Sequence, residues 1–206
     1  SQGYQALYHR LDQWHAGGRC GSLHDRDPGI IAHVNLALKK RNFSGRSDLC
    51  FCPSDYVLQA ARTSGVYESS KMVILRNPTN CRRFNPSLRR EARDRLGLSA
   101  GDFVLFVAAH PVSDRLKGID LFMEAIRNLP PPLAGRNIRV QGAGGVDGGI
   151  ECPAGAIPVK FLGSIGAEEM PGHFAAADLT VVPSREDNFP NVVIESLACG
   201  TPYVGF

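Results

Sequence analysis

Residues 179–206 constrain the fold more tightly than any other stretch of the chain. The apolar, β-branched run Leu179–Val182 stops at Pro183, which suits a buried strand of a parallel sheet, and the polar residues 184–190 then form a turn. A helix is expected next. Asn191 can cap it, Val192, Val193, Leu197 and Ala198 supply a buried face, and Gly200 followed by Pro202 makes a strong stop. Val204 onward opens another strand. Strand, turn, helix, short loop and strand make a βαβ unit, and in open parallel sheets ligands sit beyond the carboxyl ends of the strands.

The rest of residues 103–206 repeats the alternation. Residues 103–109 read as an apolar strand, and residues 116–128 have helical periodicity with Leu121, Phe122, Ala125 and Ile126 on one face. Residues 138–141 form a strand that runs into the glycine loop GAGG. That loop lacks the G-x-G-x-x-G spacing of a dinucleotide fingerprint and continues into a further glycine-rich stretch. A strand over 159–163 and a helix over 167–177 lead back to Asp178 and the opening motif. Such alternation specifies a doubly wound α/β sheet.

Asp187 and Glu195 fall at the carboxyl edge of that sheet. The free N–H groups of the helix's first turn, with the positive end of its dipole, favour an anion there, so a phosphate is attracted without a metal. Glu195 lies further into the helix, at ~1.5 Å per residue, and can accept hydrogen bonds from hydroxyls joined to that phosphate. Ionised carboxylates only accept and diols offer donors, so the pair suits sugar or ribose hydroxyls. The same spacing equally fits a turn aspartate and a solvated helix glutamate, and the residues alone leave both readings open.

The motif resembles the hallmark of the retaining glycosyltransferases of family 4, which adopt the GT-B fold. The match runs through Pro183, Ser184, Asp187, Glu195, Gly200, Thr201 and Pro202. The family usually has glutamate at the first acidic position, so Asp187 is a shorter substitute, with Glu186 beside it as the alternative candidate. Asn188, Phe189, Pro190 and Asn191 are similar to the polysaccharide-biosynthesis branch. Lys117 and Gly118 resemble the family's Lys-Gly pair, whose lysine contacts the donor diphosphate. The companion arginine usually follows the preceding strand, where this chain has Ala108, Ala109 and His110; either Arg115 takes over its charge from within the loop, or phosphate neutralisation is weaker here. Residues 159–163, VKFLG, resemble the family's strand near the nucleotide base, and Asn77 and Phe84 match its interdomain connection.

The resemblance implies a GT-B architecture of which this chain is a fragment. Residues 1–75 are expected to be the tail of the N-terminal, acceptor-side Rossmann-like domain, including a strand at Leu49–Cys52 and a Ser54-capped helix. Residues 76–206 are expected to be most of the C-terminal donor domain. It further implies transfer of a sugar from a nucleotide-diphospho-sugar to an acceptor hydroxyl with retention, in cell-surface polysaccharide or glycoconjugate biosynthesis. By family role, Asp187 and Lys117 are the catalytic pair, Asp187 holding donor-sugar hydroxyls and Lys117 the diphosphate. Glu195 takes the ribose, while Asn188, Phe189, Pro190, Asn191, Arg115 and Gly118 line the donor site. No cofactor or metal is implied. The alternatives are a sugar-nucleotide epimerase of the same architecture and a non-catalytic nucleotide-sugar-binding fragment.

Composition narrows the partners. The net charge is only +3, from 23 basic and 20 acidic residues, which argues against a dedicated nucleic-acid binder. The expected partners are a nucleotide sugar and a glycan or lipid-linked acceptor. Basic clusters at Lys39, Lys40 and Arg41, and at Arg82, Arg83, Arg89 and Arg90, leave room for peripheral membrane association, with solvated helix faces as the plainer reading. His9, His15, His24 and His33 match no HExxH or paired-cysteine pattern, so no metal site is assigned, and the resemblance puts the family's active-site histidine upstream of Ser1, so no catalytic histidine is assigned. Six scattered cysteines with no CxxC, and no signal peptide or membrane-spanning run, point to reduced thiols in a cytoplasmic protein, at most peripheral to the inner face of the membrane.

Overall fold

The computed structural model describes residues 29–43, 45–46, 48–68, 70–110, 114–129, 137–144, 157 and 159–205. The backbone divides into two compact units at the Asn77–Pro78 junction. In the first, helix α1 (Gly29–Phe43) precedes strand β1 (Leu49–Cys52), helix α2 (Asp55–Ser64) and strand β2 (Lys71–Ile74). β1 and β2 pair in parallel, with Leu49 opposite Lys71 and Cys52 opposite Ile74. α2 begins where its sequence signals a start: the Ser54 hydroxyl accepts the Val57 N–H at 3.2 Å, and Gly65 ends the helix at φ +62°. Cys52, Val57 and Ala61 form its small core with Tyr67 and Met72 packed against them.

The second unit contains β3 (Asp102–Ala108), β4 (Asn137–Ala143), β5 (Val159–Phe161), β6 (Leu179–Val182) and β7 (Tyr203–Gly205). Its helices are α3 (Arg89–Arg95), α4 (Ile119–Arg127), α5 (Met170–Ala176) and α6 (Asn191–Ala198). The strands run parallel in the order β5-β4-β3-β6-β7, the doubly wound sheet expected from the sequence. β3 is apolar at nearly every position because both its faces are covered. Val104 and Phe106 pack with Ala92 of α3 and Phe174 of α5, while Leu105 and Val107 pack with Ile119, Phe122, Met123 and Ile126 of α4. Phe106 and Phe174 meet edge to face with centroids 5.1 Å apart.

The chain steps from β3 through β4 to β5 on one side, then returns to β6 on the other. The topological switch point therefore lies between β3 and β6, and a crevice opens beyond their carboxyl ends. At the opposite end Asp178 ties the layers together. Its carboxylate accepts the Val104 N–H at 2.8 Å and pairs with the guanidinium groups of Arg89 and Arg93. Burial alone would raise its pKa, but the Val104 N–H and the two arginines together hold the carboxyl below its ordinary value.

Four local expectations need correction. The helix expected over 116–128 is broken: a 3-10 turn (Arg115–Lys117) is reversed by Gly118 at φ +65° before α4 starts. The helix expected from residue 167 starts at Met170, because 167–169 are a turn. α6 is preceded by Pro190 as its cap residue, so Asn191 is the first helical residue and not the cap. Its buried face also differs, since Leu197 is 53% exposed while Ser196 is fully buried. Ser196 can face inward because its hydroxyl bonds the Thr180 hydroxyl and the Thr201 carbonyl, both at 2.8 Å.

Candidate functional site

The two loops that leave β3 and β6 meet at the switch point. Asp114 opens the first turn, its carboxylate accepting the Leu116 N–H at 2.9 Å and its carbonyl the Lys117 N–H at 2.9 Å. Gly118 then turns the chain into α4. No other residue fits there: a Cβ on Gly118 would stand 1.8 Å from the Pro183 carbonyl oxygen, and the left-handed φ already disfavours L side chains. The two loops consequently touch backbone to backbone.

Across that contact Lys117 Nζ lies 2.9 Å from Asp187 Oδ2, with the two side chains 27% and 21% exposed. The other Asp187 oxygen accepts the Phe189 N–H at 3.2 Å, which fixes the carboxylate's orientation in an Asx-type turn. The neighbouring Asn188 is half-buried, and its side-chain oxygen is shielded without a protein hydrogen-bond partner. Phe189 and Pro190 are half-buried and Asn191 is exposed. Glu195 follows on α6. Burial pushes its carboxyl above the ordinary value, opposed in part by the charge of Arg83.

Of the candidate residues, the structure brings Lys117, Gly118 and Asp187 into one contact. Arg115 contributes its backbone, its carbonyl accepting from Arg185, while the residue itself is exposed. Ala108, Ala109 and His110 place no cation at the end of β3, and His110 is exposed.

Two residues that the sequence reading passed over complete the contact. The Arg185 guanidinium grips both Asp120 oxygens at 2.6 Å, its Nη1 also donates to the Arg115 carbonyl at 2.8 Å, and its backbone N–H donates to the Leu116 carbonyl at 2.8 Å. That grip holds the Asp120 carboxyl below its ordinary value. The only sequence signal was the position of each residue beside a motif residue.

The basic clusters divide. Arg83 hydrogen-bonds the Ala167 carbonyl and stands 3.6 Å from Glu168, and Arg89 donates to the carbonyls of Ala175 and Ala177 besides Asp178. Neither is a spare cation for a lipid surface. Cys50, Cys52, Cys81 and Cys199 are free thiols. Among the described residues no group of three or more His, Cys, Asp or Glu could hold a metal ion, and no helix is long and apolar enough to cross a membrane. The candidates His9, His15 and His24, Trp14, and most of the glycine-rich loop after β4 lie outside the described residues, as does the side chain of His33.

Comparison with known proteins bears on the fold and the family. The chain is 36% identical over 136 residues to a D-inositol 3-phosphate glycosyltransferase of Geodermatophilus obscurus, a match that covers 59% of this chain and 30% of that protein. The chain thus spans less than a third of the length of this curated relative. Among solved structures it superposes on sucrose-phosphate synthase from Thermosynechococcus elongatus with a TM-score of 0.66 at 24% identity, covering 91% of this chain and 46% of the other. It superposes on Anabaena HepE, solved in complex with UDP-glucose, with a TM-score of 0.65 at 21% identity, covering 87% and 50%. At these identities the superpositions speak for the fold, which is that of GT-B glycosyltransferases. The family model described as Glycosyl transferases group 1 matches residues 101–206, just over half of the chain and the whole of the sheet that carries Lys117 and Asp187, and the protein therefore belongs to that family.

Proposed function

We propose that this chain carries the donor side of a retaining, metal-independent glycosyltransferase, and that its own residues bind a nucleotide-diphospho-sugar at the β3–β6 crevice. The observation that carries the reading is the Lys117–Asp187 contact at the topological switch point. A cation and a carboxylate side by side suit a ligand with a charged diphosphate next to a hydroxyl-bearing ring. As the bond between the anomeric carbon and the phosphate oxygen breaks, its electron pair goes to the diphosphate. Lys117 and the N–H groups at the start of α6 stabilise that charge, with no divalent ion required. Asp187 accepts hydroxyl protons of the sugar. Glu195 accepts from the ribose diol, and the unpartnered Asn188 oxygen offers a further acceptor.

The relative's name supports a sugar donor and a hydroxyl acceptor in general, and the neighbour solved with UDP-glucose supports a nucleotide sugar. The wider assignment, to cytoplasmic polysaccharide or glycoconjugate synthesis on a glycan or lipid-linked acceptor, with or without peripheral membrane contact, rests on the motif around residues 188–191. Turnover belongs to the whole protein, whereas donor binding belongs to the residues present here. The test is calorimetric titration of the chain with UDP-glucose, GDP-mannose and ADP-glucose in the presence of a chelator. One nucleotide class is expected to bind. Lys117→Ala should weaken it about ten-fold or more, the scale of a lost charge-assisted hydrogen bond, and Glu195→Gln, which keeps a neutral acceptor, by about five-fold. A folded chain that binds none of the three, or binds only with added metal, overturns the proposal.

A further inference from the structure

Arg185 and Asp120 have no part in the donor contacts described above, yet they bracket Lys117. The β6 loop holds the Lys117 turn at Arg115 and Leu116 through Arg185 and at Asp120 through the guanidinium fork, and its Pro183 carbonyl packs closely against Gly118. Lys117 alone reaches back to Asp187. We infer that Arg185 is a positioning residue: its fork on Asp120 and Arg115 sets where the Lys117 ammonium stands relative to Asp187, and so sets the diphosphate site. This rests on the reading of the crevice as a donor site.

Two features separate this role from ordinary surface pairing. Arg185 is 19% and Asp120 58% exposed by side chain, so the pair is buried on one side only and its contribution to stability is modest, and stability alone does not account for a residue that ties down three backbone or carboxylate points. The geometry also demands arginine. One planar group satisfies both Asp120 oxygens and the Arg115 carbonyl, which a lysine's point charge cannot do at once.

The test is a double-mutant cycle, with the titration panel and melting curves read on wild type, Arg185→Met, Lys117→Ala and the double variant. Arg185→Met is expected to weaken nucleotide-sugar binding about ten-fold where Lys117 is present and less than about two-fold where it is absent, because it acts through that ammonium. The melting temperature should stay within about 3 °C of wild type. Arg185→Lys should recover only part of the affinity. If Arg185→Met does not fold, Asp120→Asn takes its place in the cycle and the same coupling is expected. Losses that simply add overturn the inference while leaving the donor site in place, and so does an affinity unchanged in Arg185→Met. No binding by wild type, or binding indifferent to Lys117, overturns the donor-site reading and this inference with it.

Discussion

Replacing Asp187 by Asn should shift the protein's preference from the sugar conjugate of a nucleotide diphosphate toward the free diphosphate. In the ligand-free chain Lys117 and Asp187 neutralise each other at 2.9 Å. A diphosphate that enters takes the ammonium and leaves the carboxylate facing added negative charge. A nucleotide sugar does the same but returns a hydroxyl donor to the carboxylate. The side chains are 27% and 21% exposed, so the pair lies between a surface pair, worth below about 1 kcal/mol, and a buried one, whose disruption costs about 3–5 kcal/mol. An intermediate value of about 1–2 kcal/mol corresponds to roughly five- to thirty-fold in affinity. The Asp187→Asn substitution frees Lys117, so the free diphosphate should bind tighter by that factor.

For the sugar conjugate the same gain is offset by about 1 kcal/mol, the difference between a charged and a neutral acceptor for the hydroxyl, so its affinity should move by only a few-fold. The amide keeps an oxygen to accept the Phe189 N–H, which protects the loop from collapse. Paired titrations of UDP against UDP-glucose, or of whichever base the panel selects, read the ratio directly. An Asp187→Asn variant that binds the free diphosphate no tighter than wild type, or loses both ligands equally, refutes the exchange.

Gly118→Ala should cost about 1 kcal/mol for the left-handed backbone alone. The 1.8 Å approach to the Pro183 carbonyl must also be relieved by parting the loops, so donor affinity should fall by at least about ten-fold in titration, and unchanged affinity would contradict the contact. Glu195→Gln should stabilise the fold while it weakens donor binding. Burial raises the Glu195 pKa above 4.5, so the folded chain binds a proton more tightly than the unfolded one, and wild-type stability falls as pH rises through that window. The variant's advantage in denaturant unfolding should therefore open toward neutral pH and close below the ordinary carboxylate range. Asp178→Asn behaves in the opposite sense, because the folded pKa lies below 3.8 and the stability it supplies is present above that value. The variant should lose about 2–3 kcal/mol near neutral pH, leaving Arg93 without its counter-charge, and the gap should narrow as acid protonates the wild-type carboxyl.

The parts of this fold that were legible in the sequence are those fixed within a few residues. β6 ends at Pro183, α6 ends before Gly200 at φ +75°, and Ser54 caps α2, all by rules that act inside one turn. Where tertiary partners decide, local reading failed. Leu197 was expected on the buried face and Ser196 was given no place there, and only the Thr180 hydroxyl and the Thr201 carbonyl explain why Ser196 is the one that faces inward. Arg89 looked like a free surface cation, but its partners lie 86 to 89 positions away.

The site divides along the same line. Asp187 and Lys117 were nameable one at a time from motif position, but nothing local says that side chains 70 residues apart meet, because that follows from β6 lying next to β3. Arg185 was invisible for a further reason. A polar turn residue between two motif positions reads as solvated filler, and what distinguishes it is a fork shared by Asp120 and Arg115, 65 and 70 positions upstream. In such a crevice the motif residues are legible one by one, and the groups that set their spacing come from whichever strand the topology places alongside. On the donor-site proposal a substitution at Arg185 therefore belongs with those at the site residues: a change that slackens its fork is expected to let the Lys117 turn drift from the loop that carries Asp187, so that the Lys117–Asp187 contact loses its spacing although both of its own residues remain.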